Sequence, residues 1–196
     1  DKQNIETNFF QTLADLIQTS VMENNHQSWH NAGLIGIGLV LEDADLVDLA
    51  INGERGLRWQ LKNNVLIDGW WNETSPGYHF YALDAIGYTV QAAAMAGFDY
   101  SGNPAFKGMF DAPLRTYLPD YSLPAINDTE RGSIITSKGF FYEYAYSRFG
   151  DADYLTLLNA GTRNNMFALL FGVDNLPASP PATFSSAVCE GAGFAA

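Results

Sequence analysis

A chain of 196 residues, 47% of them apolar, has room for one domain, or for one domain and the start of another. Its net charge of −12 argues against nucleic acid or an anionic membrane surface as a partner, yet leaves room for an anionic substrate in a cleft of opposite local field. A single cysteine, Cys189, excludes an internal disulfide and a cysteine-based metal centre, and the longest apolar run, 32–41, is too short to span a membrane.

The opening segment from Asp1 is polar and lacks the basic and apolar regions of a signal peptide, so the sequence reads as a cytoplasmic protein or a mature form. Apolar residues recur at helical spacing from the start. A first helix is expected over 5–23, with Phe9, Leu13, Leu16, Ile17 and Val21 facing inward. The polar stretch Asn24-Asn25-His26 is expected to stop it, since Asn tolerates the left-handed conformation that ends helices. A second, buried helix follows over 29–41, apolar all round and carrying Gly33, Gly36 and Gly38. Asp43 reads as the N-cap of a third helix over 44–65, weakened in its middle by Gly53 and Gly56.

The stretch 67–76 is a Gly-, Asn- and Trp-rich loop, exposed or lining something. A fourth helix is expected over 78–95, stopped near Gly97. Asn103-Pro104 opens a fifth, to about 117. The irregular segment 118–138 is long enough to be functional, and three short helices are expected near 139–149, 152–160 and 163–171. Beyond Leu176 come Pro177, Pro180 and Pro181, then a small-residue tail with a strand near 183–188. The fold class is all-α.

Three histidines are available for chemistry: His26, His30 and His79. His26 and His30 stand at a metal-ligand spacing, but no third ligand lies near them in sequence, so no metal and no cofactor is expected. Asp68 and Glu73 flank a Trp pair and fit either the acid and base of a glycoside hydrolase or the braces of a loop. A serine elbow, a phosphate-binding glycine loop and a Cys–His pair are all missing. Tyr78 falls in a predicted first helical turn, where unpaired backbone N–H groups favour negative charge near the phenol. Tyr81, three residues on, reads first as aromatic packing.

Two of these stretches carry a resemblance. Asn24-Asn25-His26-x-x-Trp29 is similar to the Asn-Asn-His-x-x-Trp signature of alginate lyases, and Tyr78-His79-Phe80-Tyr81-Ala82-Leu83 to their Tyr-His-x-Tyr-Ala-Leu signature. The loop Asp68-Gly69-Trp70-Trp71-Asn72-Glu73 leading to Gly77-Tyr78-His79, and the later Leu123-Pro124-Ala125-Ile126-Asn127-Asp128, resemble the heparinase II/III superfamily of polysaccharide lyases. The likeness covers most of residues 9–172.

What the resemblance implies is an incomplete (α/α) toroid over 1–175. The segment 176–196 would then be a linker and the start of the β-sandwich domain that full-length relatives carry. It implies β-elimination on a uronic-acid polymer, alginate or heparin/heparan-like, yielding a 4,5-unsaturated uronate. Asn25 and His26 match the family's carboxylate-neutralising and base positions, and Tyr78 its proton-transferring tyrosine. Trp29, Trp70 and Trp71 would stack on sugar rings, and Arg131 would meet a substrate carboxylate. Gln27, Glu73, His79, Tyr81, Asn127 and Asp128 complete the implied substrate contacts. An anionic polysaccharide partner and a periplasmic or secreted bacterial location follow from the same likeness.

The chain departs from the pattern where alginate lyases carry arginines before the Tyr motif; here Trp71-Asn72-Glu73-Thr74-Ser75-Pro76-Gly77 stands instead. Relatives also place a further His in the β-sandwich, so part of the active site is expected outside this stretch. The alternatives are a non-catalytic carbohydrate-binding helical domain and a glycoside hydrolase using Asp68 and Glu73.

Overall fold

The computed structural model describes residues 1–181 and 184–196, and these are mostly helical. The helices are α1 (Lys2–Ile5), α2 (Thr12–Gln18), α3 (Asn25–Leu41), α4 (Ala44–Asn52), α5 (Leu57–Asn63), α6 (Pro76–Met95), α7 (Pro104–Leu114), α8 (Ile134–Lys138), α9 (Phe141–Phe149), α10 (Leu155–Ala160) and α11 (Met166–Phe171). A π-helical stretch, Glu6–Gln11, joins α1 to α2, and a 3-10 turn, Ala152–Tyr154, leads into α10. One antiparallel hairpin, β1 (Val188–Cys189) with β2 (Phe194–Ala195), closes the chain. The all-α expectation holds, and no helix among the described residues is long and apolar enough to cross a membrane.

The chain divides into two compact units: 1–65 with 81–103, and 66–80 with 104–196. Helix α6 gives its first turn to the second unit and the remainder to the first.

In the first unit, α3 and α4 pack closely because Gly38 leaves no room for a side chain: a Cβ there would sit 2.9 Å from Val47 Cγ2. Asp43 caps α4 as expected, its carboxylate accepting from the backbone N–H groups of Asp45 and Leu46. The single helix expected over 44–65 is instead two, α4 and α5, broken at Gly53–Gly56. Leu34, Ile35, Ile37, Leu46, Ile51, Leu57 and Ile86 fill the core. The N-terminal stripe does not bury as expected. Ala14 is enclosed, whereas Phe9, Leu16 and Val21 are more than half exposed.

The core of the second unit is aromatic, built on Trp70, Trp71, Phe80, Phe106, Phe110, Tyr142 and Tyr154. Its closest backbone approach is at Gly69, where φ is +87° and a Cβ would strike the Gly108 backbone of α7. The hairpin packs on this region: Cys189, Ala192 and Phe194 surround Trp70 and Ala112. Glu143, 2% exposed in its side chain, is held by a two-bond grip from Arg163, both contacts at 2.7 Å. The strand expected over 183–188 starts on Thr183, which lies outside the described residues; the observed pairing begins at Ala187 and runs through β1 and β2.

Candidate functional site

The Asn24–Trp29 stretch does not terminate the helix before it. That helix ends at Gln18, and Asn24 instead opens α3, its side-chain oxygen accepting from the His26 N–H at 3.1 Å. Asn suits both tasks, because the same short amide can accept from a first turn or tolerate a left-handed stop. Asn25 and His26 therefore lie in the first turn of α3, where the backbone N–H groups favour an anion.

A buried chain of amides fixes that turn. Gln27 accepts from the Met22 N–H at 2.8 Å and donates to Asn31 Oδ1 at 3.0 Å. Asn31 donates to Gln60 Oε1 and to the Arg55 carbonyl, and Gln60 donates to Ser28 Oγ. Every member is neutral and paired, so the network holds the turn without buried charge. This corrects the expectation for Gln27: it is 6% exposed and committed inward, a positioning residue and not a sugar contact. Asn25 is also buried, while the His26 imidazole is exposed.

Around His26 in this unit lies an aromatic surface. The Tyr81 ring meets His26 edge-on at 6.4 Å and Trp29 at 5.3 Å, and Tyr88 lies 6.0 Å from Trp29. Tyr81 and Tyr88 are 44% and 47% exposed, so this surface is open to a ligand. Tyr88 was not singled out from the sequence; its place seven residues beyond Tyr81 on one helix was the available signal. His30, on the same helix, donates from Nδ1 to the Ser20 carbonyl at 2.9 Å. Among the described residues no cluster of three or more His, Cys, Asp and Glu side chains forms a metal site.

In the second unit the loop before α6 is tightly braced. Trp70 and Trp71 are fully enclosed, so the expectation that they stack on sugars is corrected: their faces are spent on the core. Asp68 accepts from the Trp70 and Ala192 N–H groups, and its carbonyl accepts from Arg115. Glu73 accepts from the Trp71 indole N–H at 2.8 Å. Both carboxylates thus act as loop braces in this structure.

His79 is likewise interior. Its Nδ1 accepts from the Trp71 N–H at 3.0 Å and its Nε2–H donates to the Met109 carbonyl at 2.8 Å, which fixes the neutral tautomer. Burial pushes its pKa down to about 4, against the opposing pulls of the Met109 carbonyl and Asp68. The expected substrate contact of His79 is therefore replaced by a role in holding the loop.

Tyr78 differs from its neighbours: it is 38% exposed, with its hydroxyl 3.5 Å from Asp128 Oδ2. The start of α6 is capped by hydroxyls. Gly77 N–H donates to Thr129 Oγ1 at 2.8 Å, and Ser75 Oγ lies 2.6 Å from the same atom. Asn127, in the left-handed region at φ 52°, donates to the Thr74 carbonyl and hydroxyl. The segment 127–129 is thus a clamp on the first turn of α6, which accounts for the motif character of Asn127-Asp128. Arg131 is exposed, but its Nε donates to Ser122 Oγ and its Nη2 to Asp120 Oδ2. The Ser122 hydroxyl and N–H donate to Asp120 Oδ1 at 2.6 and 3.0 Å and, with Arg131 assisting, hold the Asp120 carboxyl below its usual range. The guanidinium expected to meet a substrate carboxylate already has one.

The family model described as Heparinase II/III N-terminus matches residues 7–156. No curated protein and no solved structure matches the chain.

Proposed function

The chain belongs to the heparinase II/III N-terminal family, a polysaccharide-lyase-related family, and from that premise we propose that it contributes catalytic residues to a lyase cleaving a uronic-acid polysaccharide by β-elimination. The observation that carries the proposal is that the matched segment contains two helix first turns, each presenting one exposed proton-transfer group: His26 on α3 and Tyr78 on α6.

Elimination removes the proton at C5 beside the uronate carboxylate, moves that electron pair into a C4=C5 bond, and expels the C4 oxygen with the glycosidic bonding pair. The carboxylate must be neutralised so that charge can develop on it. The α3 first turn suits that need, with the helix N-terminus beside the exposed His26. By the family resemblance His26 takes the C5 proton and the Tyr78 hydroxyl protonates the departing oxygen, each role resting on its own helix turn. Trp29, Tyr81 and Tyr88 support the reading as a hydrophobic platform for pyranose faces. Asp128, at the Tyr78 hydroxyl, orients the phenol. Export to the periplasm or medium, where such polymers are met, belongs to the same proposal.

The test is ultraviolet absorbance of the unsaturated uronate from the full-length protein on alginate, heparan sulfate and glucuronan. Tyr78→Phe and His26→Ala are each expected to lower the rate on the best substrate about 100- to 1000-fold, the cost of one charge-stabilising or proton-transferring group. Full rates in both variants overturn the assignment. Binding of the polymer with no unsaturated product would mark a carbohydrate-binding module instead.

A further inference from the structure

Away from both motif turns, three of the chain's ten cations, Arg55, Arg58 and Lys62, fall between positions 55 and 62. Beside them the α4–α5 connection and α5 form a surface cavity of about 630 Å³ in the first unit, lined by Asn52, Glu54, Arg58, Trp59, Lys62 and Asn63. Arg55 stacks its guanidinium 4.0 Å above the Trp59 ring and pairs with Glu23, which fixes the indole at the cavity edge. Arg58 donates to a neutral acceptor, Asn52 Oδ1, at 3.2 Å, so that bond leaves its charge uncancelled. The Lys62 ammonium has no hydrogen bond or ion pair among the described residues.

The rim therefore carries two cations against one carboxylate, Glu54, on a chain of net charge −12. A polyanion is repelled by most of such a surface and is drawn to its positive exception. An aromatic edge beside two cations matches an acidic sugar: its acid group meets Arg58 and Lys62 and its C–H face Trp59, while the Asn52 and Asn63 amides are held by Asp48 Oδ1 and the Trp59 carbonyl.

We propose that this α5 face is a docking subsite for an acidic glycan chain, bearing carboxylate or sulfate, separate from the motif turns. It draws on the proposed function for the class of ligand alone. The subsite would hold a polymer, adding a second point of attachment and hence avidity for long chains over short ones.

The experiment is native affinity electrophoresis of the full-length protein in gels containing alginate or heparin, each compared with a polymer-free gel. The Arg58→Ala/Lys62→Ala variant is expected to need about ten-fold more polymer for equal retardation, the loss that fits two solvent-exposed charged contacts. Trp59→Phe, which keeps a ring beneath Arg55, is expected to fall between it and the wild type. Retardation by both polymers shows that carboxylate suffices; retardation by heparin alone assigns the site to sulfate. Unchanged retardation in the double variant overturns the proposal, as does an equal loss in the exposed control Lys2→Ala. Failure of the lyase reading is seen separately, as absence of unsaturated product from the wild type, whatever the retardation.

Discussion

The first turns of α3 and α6 solve one problem with different chemistry. Each exposes one titratable side chain, His26 or Tyr78, while the rest of the turn is anchored. The α3 turn is anchored by carboxamides, Gln27, Asn31 and Gln60, none of which titrates. The α6 turn is anchored by hydroxyls, by Asn127 and by an imidazole, His79, whose neutrality is enforced by burial. Motif residues thus divide into those that show themselves to solvent and those that hold them there, and the second group is the larger. It also follows that the two anchors respond differently to pH.

The comparison is most severely tested by Trp70→Ala. Emptying this fully enclosed site beside His79 is expected to destabilise the second unit by about 3–5 kcal/mol, read as a shift in the urea midpoint. The next effect is pH. Above about pH 6.5 the His79 imidazole is neutral whether the chain is folded or unfolded, so it imposes no penalty. As pH falls from 6.5 to about 4, the unfolded imidazole takes up a proton that the folded one refuses, and stability declines across that window by about 3 kcal/mol. Urea titrations at a series of pH values check this, and His79→Gln should flatten that part of the slope.

A smaller effect is expected on the other side of the comparison. Gln60→Leu strips partners from Ser28 and Asn31 and should cost about 1–3 kcal/mol, equally at pH 5 and pH 7. A cost that grew on acidification would show that the amide anchor is not independent of charge. The smallest is Asn24→Ala, which removes one N-cap bond and should cost about 1 kcal/mol in the same melts.

Much of the helical layout was legible because it rests on local chemistry. Asp43 before an apolar period, Pro104 at a helix start and Gly97 at φ +91° after α6 are all decided within a few residues. The two motif turns were legible as candidates for the same reason. Exposure was not. Trp70 and Trp71 look like sugar platforms in sequence, and only Gly108, the Met109 carbonyl and the hairpin around Cys189, all distant in sequence, make them core. Arg131 reads as a free cation until Asp120, eleven residues back, closes on it. The direction in which Asn24 acts was also undecidable locally, since the helix before it already stops at Gln18, where the Thr19 hydroxyl donates to the Leu16 carbonyl.

The placement of the four tryptophans has a spectroscopic consequence. The second unit holds Trp70 and Trp71 in a dry, aromatic interior, whereas Trp29 and Trp59 in the first unit are partly wet and lie at the aromatic surface by His26 and at the α5 cavity. Emission should therefore carry two separable colours. The blue component reports melting of the second unit, and the red component, open to iodide quenching, reports occupancy of the first. A sugar ligand that shields the red component and leaves the blue one unmoved would be seen binding and not folding, with no label added.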